Sequence, residues 1–349
     1  METTLIVAHT DGDGTLPKPA MEAVTAATQL VAEFPEARLI AWIVGGQTWN
    51  ALEQIAGCGA VKVFSVSGND FALARYSTDA AAVEALARRC GATLVLAPAT
   101  SRFSRVLGGV AQRLNARIDT HVTRVSVVDG SPATSRWYYR QRMEAVLQRS
   151  SRPWVIALDP GCYPPWQGQG DLPAAESLSV EVTDTLRRTR VEGFRAPQAD
   201  EQTIRPDADL LFVAGAGWTK KQRDGRVRTD EAAALILEFL RSSRASLGSS
   251  KSLVDLSGEG QAVLPFLTHL NQVGQTGSTP RHPKGLATCC HGEEPHVVGW
   301  RFISERRAVN LDPDCGWVRG KADVLYVADA FEVIARVSEL LAKEPKPDG

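Results

Sequence analysis

The chain has 349 residues, too many for one ordinary core and enough for two domains. Its formal net charge of −1 provides no global field for nucleic acid or an acidic membrane surface, so neither is an expected partner. No apolar run approaches the roughly 20 residues that span a bilayer, and a membrane-embedded protein is not expected.

The opening residues run from Met1 straight into a strand pattern, without the basic-then-apolar layout of a secretory leader; the expected location is cytoplasmic. Residues 5–8 form the first predicted strand. A helix over 20–34, a strand over 39–44, a helix over 47–56 and a strand over 61–66 follow. An Ala-rich helix over 78–90 leads into a strand over 93–97. Strands apolar on both faces and separated by helices predict a parallel sheet covered on both sides. The runs 122–128 and 154–158 are read as antiparallel or edge additions. Between about 162 and 207 Pro, Gly and charged residues take over, and the inter-domain connection is expected near 195–206.

The α/β pattern then restarts. Residues 210–213 are a strand entering Gly215-Ala216-Gly217. Thr229 or Asp230 is expected to cap a helix reaching Leu240. A late strand over 324–327 precedes a helix over 331–343 whose apolar stripe is Val333, Ile334, Val337, Leu340 and Leu341. The expected fold class is α/β in two domains. Residues 1–200 form an α/β domain with a mostly parallel sheet. Residues 206–349 form a doubly wound, flavodoxin- or Rossmann-like domain with its ligand at the carboxyl ends of the strands.

Six cysteines, Cys58, Cys90, Cys162, Cys289, Cys290 and Cys315, form no CxxC and are read as structural thiols, with a redox role for the Cys289–Cys290 pair as an alternative. Asp119 and His121 complete no triad, and no GxSxG, HExxH or Walker pattern occurs. The basic run from Lys220 to Arg226 reads as a solvated loop or helix start, or else as a grip for a phosphate or a partner. The strongest local signal is Gln272-Val273-Gly274-Gln275-Thr276-Gly277. Two glycines around Gln-Thr let successive N–H groups point at one anion, and the Thr hydroxyl serves an adjacent acceptor. Alone, the segment reads first as a Gly-rich surface turn.

This segment resembles the QVGQTG signature of electron-transfer flavoprotein α-subunits. Asn310-Leu311-Asp312-Pro313-Asp314 is similar to that family's N-K-D-P-D/E turn, and Val327-Ala328-Asp329-Ala330-Phe331-Glu332-Val333 to its V-A-D-L-F-E-V segment. The likeness is specific in the second half and diffuse in the first. It implies FAD held in the second domain. Thr276 would bond the reactive ring nitrogen, with Gly274, Gln275 and Gly277 supplying neighbouring amides. Asn310 would meet the phosphate or adenosine portion and Asp329 the ribose. His291, Gly292 and His296 match the family's S-G-A-I-Q-H box, which puts His296 by the pyrimidine edge. Ser250 and Lys251 match its G-x-S-R segment. For His296 a turn histidine, and for Asp329 a helix N-cap, remain open readings.

The chain departs from the family in four places. His291 replaces a phosphate-binding Ser, and Glu293 and Glu294 replace an apolar pair. Lys251 keeps the charge of an Arg but not its planar fork. Gly215-Ala216-Gly217-Trp218 lacks the Arg of the family's G-G-R-G turn, and the segment 256–271 is longer than its counterpart. The resemblance implies an electron carrier, not an enzyme. It would pair as a heterodimer with a smaller electron-transfer flavoprotein β-subunit that carries AMP and contacts mainly the first domain. Electrons would arrive from flavin-dependent dehydrogenases and leave to a membrane quinone oxidoreductase. The alternative is a nucleotide-binding regulatory or assembly protein of the same fold that has lost flavin.

Overall fold

The structure is a computed structural model. It describes residues 2–34, 36–138, 143–171, 174–193, 205, 208–255, 263–273, 282–288, 303–314 and 322–343. The chain divides into two compact units, 1–194 and 195–349.

The first unit is built on a nine-stranded sheet. Its strands are β1 (Thr3–His9), β2 (Arg38–Gly45), β3 (Lys62–Ser67), β4 (Leu94–Pro98), β5 (Arg117–Val128), β6 (Ser131–Tyr138), β7 (Met143–Gln148), β8 (Trp154–Leu158) and β9 (Ala175–Ser177), in the spatial order β7-β6-β5-β8-β4-β1-β2-β3-β9. Every residue of β1, β4 and β8 is buried, as a parallel sheet covered on both faces requires. One face packs on α1 (Lys18–Glu33) through Ala20, Val24, Ala27 and Leu30. The other packs on α4 (Tyr76–Cys90) and α6 (Leu107–Arg113) through Val83, Leu86, Leu107 and Val110, and the short helices α2 (Trp49–Gln54), α3 (Asn69–Ala72) and α5 (Ser101–Ser104) lie in the connections.

The reading of residues 154–158 as an addition at the margin is corrected. β8 pairs in parallel with both β4 and β5 and lies inside the sheet. In this sheet, among the described residues, the β5–β6 and β6–β7 pairs are the antiparallel ones. Buried Asp119 of β5 ties this extension down, accepting from Arg136, Arg149 and the Trp154 indole.

The second unit contains β10 (Leu210–Ala214), β11 (Ser246–Ser249), β12 (Lys284–Thr288), β13 (Glu305–Asn310) and β14 (Val324–Val327), all parallel, ordered β11-β10-β12-β13-β14. In chain order this is 2-1-3-4-5, the flavodoxin-like arrangement, whose switch point lies between β10 and β12. One face is covered by α7 (Thr229–Ser243) and the C-terminal helix α9 (Ala330–Leu341), which bury Ile236, Phe239, Phe331 and Ile334. Between β11 and β12 lies the short helix α8 (Lys251–Asp255).

Two local expectations are corrected. Neither Thr229 nor Asp230 caps α7, because the cap residue is Arg228 and makes no side-chain cap bond. Leu340 leaves the predicted stripe: it is 49% exposed, while Ile334 is fully buried.

Candidate functional site

The loops at the carboxyl edge of the second sheet collect the polar residues that the sequence singles out. β10 ends in Gly215 and a 3-10 turn, Ala216–Thr219. Trp218 in that turn is fully buried. Its indole Nε1 donates to Thr288 Oγ1 at 2.8 Å, and its ring lies 4.6 Å from that of Phe331. Thr288 Oγ1 in turn donates to the Val213 carbonyl, and Gly215 N donates to the Thr288 carbonyl. The indole therefore bridges the ends of β10 and β12, where the strand order reverses.

On the other side of β10, Ser250 N donates to the Ala214 carbonyl at 2.9 Å, and Ser250 Oγ accepts from Leu253 N as α8 begins. Lys251 follows, exposed at the rim. Gln272 forms a bridge with Ser249, and Val273 N donates to the Ser249 carbonyl at 3.1 Å. This pairing brings the entrance of the Gly-rich segment beside Ser250 and Lys251. Gly248 makes the approach possible: a Cβ there would stand 2.6 Å from Val273 Cγ2. Ser249 Oγ is buried with no hydrogen-bond partner among the described residues. Such an orphan costs about 1–3 kcal/mol.

Farther along the same edge, Asn310 closes β13. It is buried, its Nδ2 donates to the Asp312 carbonyl at 3.0 Å, and its carbonyl accepts from Ala328 N. Asp329, after β14, caps α9 by accepting from Phe331 N at 2.8 Å. The N-cap reading of Asp329 is what the geometry contains, and its second carboxylate oxygen takes no part in that bond. Thus Ser250, Lys251, Gln272, Asn310 and Asp329 occupy one edge of one sheet. Gly274, Gln275, Thr276, Gly277, His291, Gly292 and His296 lie outside the described residues. Sequence reasoning missed the Trp218–Thr288 pair. Its only trace was a Trp directly after Gly215-Ala216-Gly217.

The donor set suits an extended dinucleotide. It offers a cation and a hydroxyl at one end and an amide and a carboxylate at the other.

A second polar cluster sits at the carboxyl ends of β1 and β4 in the first unit. His9 Nε2 and Thr100 Oγ1 are 2.8 Å apart, and the imidazole meets Phe103 edge-on at 5.1 Å. Beside it Arg102 grips Asp79 through two bonds of 2.7 and 2.8 Å and donates to the Phe71 carbonyl. Burial, reinforced by the Arg102 charge, pushes the His9 pKa down from 6.5 to about 4. All the groups here are engaged with one another, which marks a packed structural cluster.

A family model described as the electron transfer flavoprotein domain matches residues 4–185, nearly the whole first unit. Protein FixB of Clostridium saccharobutylicum is 24% identical over 342 residues, covering 95% of this chain and 95% of that protein. Protein FixB of Bradyrhizobium diazoefficiens is 25% identical over 324 residues, covering 91% of this chain and 83% of that protein. The motifs that carry the resemblance cluster in the second half, whereas the family match falls in the first.

Proposed function

The chain belongs to the electron transfer flavoprotein family, and from that premise we propose that it is the larger, FAD-holding subunit of a heterodimeric electron carrier. The observation that carries the reading is the convergence of Ser250, Lys251, Gln272, Asn310 and Asp329 on one carboxyl edge. Bound FAD would supply the electron chemistry, and the protein position and charge. Ser250 offers a hydroxyl, and Lys251 a positive charge at the end where the Gly-rich segment enters. Asn310 and Asp329 would receive the adenosine end. Thr276 and His296 complete the set on the strength of the family motif.

The first unit, which carries the family match, is the proposed seat of the smaller subunit, whose own nucleotide would be AMP. The proposed donors are flavin-dependent dehydrogenases, and the proposed acceptor is a membrane quinone oxidoreductase. A flavin-free nucleotide-binding regulator is the second reading. It is favoured by one observation: the buried Trp218 occupies the turn in which the family carries an Arg.

The test strips and rebinds cofactor in the full chain and in a Ser250→Ala, Lys251→Met double variant. Loss of a hydroxyl and a charge from the site predicts FAD binding at least about tenfold weaker, beside a modest fall in melting temperature from the hydrogen bond that Ser250 gives up at the start of α8. Equal FAD affinity in the two proteins would remove this edge from the site.

A further inference from the structure

The basic run from Lys220 to Arg228 folds into a small hairpin. Lys221 bridges Val227 in antiparallel fashion, Gln222 N donates to the Arg226 carbonyl at 2.8 Å, and Gly225 turns the tip at φ +77°. The Gln222 side chain locks the root, its Nε2 donating to the Gly217 and Lys220 carbonyls. Asp224 stiffens the tip by accepting from Arg226 N and pairing with Arg228 at 2.7 Å. The hairpin grows from the buried Trp218 turn, which packs against α8, the helix that begins at Lys251.

Five cations stand here against one carboxylate, a local charge of +4 in a chain of net charge −1. Arg228 is engaged by Asp224 and Glu231. Lys221, Arg223 and Arg226 are exposed, and none has an ion-pair partner among the described residues. Val227 adds an exposed apolar contact, 47% accessible.

We propose that this hairpin is a docking element for the acidic surface of a partner redox protein. The proposal rests on the electron-carrier reading, because a partner seated there stands beside the candidate flavin edge. A phosphate ligand is a poorer occupant. Phosphate loops present free amides, whereas here the Gln222, Gly225 and Arg226 amides are bonded within the hairpin, and the Asp224 carboxylate lies at its tip. A rigid stem holding long cationic side chains outward instead suits a protein surface of opposite charge, where such charges raise association rate and fix orientation.

The test uses the full chain and, as probe, a small acidic flavodoxin carrying a fluorescent label, with binding read by anisotropy. That readout needs no flavin in the chain. The wild type should bind at low ionic strength and lose affinity as salt rises past about 0.15 M. The Lys221→Glu, Arg223→Glu, Arg226→Glu variant should bind at least about tenfold more weakly, as should the single Arg226→Glu variant, and the charge-keeping Lys221→Arg, Arg223→Lys, Arg226→Lys variant should bind like wild type. Equal binding by wild type and the reversal variants overturns the proposal. So does hairpin-dependent binding of phosphatidylserine vesicles or a DNA oligonucleotide with none of the flavodoxin. A colourless preparation that still binds through the hairpin would contradict the carrier reading and leave the docking element standing. A flavin-loaded preparation that fails to bind would do the reverse.

Discussion

His9 shows how a single buried group ties the stability of the first unit to pH. Its imidazole is 6% exposed, faces the Arg102 guanidinium, and is held near pKa 4, while in the unfolded chain it titrates near 6.5. The folded pKa is the depressed one, so between those values the unfolded chain binds more protons. The stabilisation tied to neutral His9 is complete above about pH 6.5 and is lost as pH falls towards 4. The loss amounts to about 2 kcal/mol by pH 5. Urea titrations at pH 7 and pH 5 should resolve this difference, and a His9→Gln variant should show a smaller one. A wild-type curve flat across that window would mean that His9 is solvated. The Arg102–Asp79 pair beside it was not visible in the sequence. Twenty-three positions separate the two residues, and only the turn after β4 brings them together.

At the scale of elements, Val273 approaches β11 closely, its N–H donating to the Ser249 carbonyl. Gly248→Ala would place a Cβ 2.6 Å from Val273 Cγ2 and 3.3 Å from Leu211 Cδ1, against a β-branched side chain with little freedom to move. Overpacking of this kind costs about 1–3 kcal/mol. Adding Val273→Ala should restore part of that loss, and denaturation of the four proteins of the cycle measures the coupling. Strict additivity would show that the two elements do not press on each other.

The same region explains what the sequence revealed and what it hid. In the first unit β1, β2, β4 and β8 announce themselves as apolar runs, whereas β6, β7 and β9, with Ser-Pro-Ala-Thr-Ser-Arg-Trp-Tyr, Met-Glu-Ala-Val-Leu-Gln and Ala-Glu-Ser, do not. Nor do β11, β12 and β13: Ser-Leu-Gly-Ser, Lys-Gly-Leu-Ala-Thr and Glu-Arg-Arg-Ala-Val-Asn are short and at least half polar or glycine, and are strands because β10 pairs with β11 and β12, and β12 in turn with β13. Ser250, Lys251, Asn310 and Asp329 were legible because their chemistry sits in recognisable motifs. Trp218 was not, since an apolar residue in a loop gives no sign that it will bridge two strand ends.

The whole molecule carries a nine-stranded sheet in its first unit and a five-stranded sheet in its second. The first unit carries the family match, and relatives named FixB align along nearly the entire chain. The second carries the edge on which the cofactor reading depends. A bound dinucleotide would call for polar groups spaced along that edge, and Ser250, Asn310 and Asp329 stand at or just past the ends of three different strands. The most direct measurement is the flavin content of the chain co-purified with the proposed smaller subunit, read from the visible spectrum and from the cofactor released on denaturation. The account predicts a yellow complex that yields FAD in proportion to this chain. A complex that remains colourless after incubation with excess FAD would contradict it.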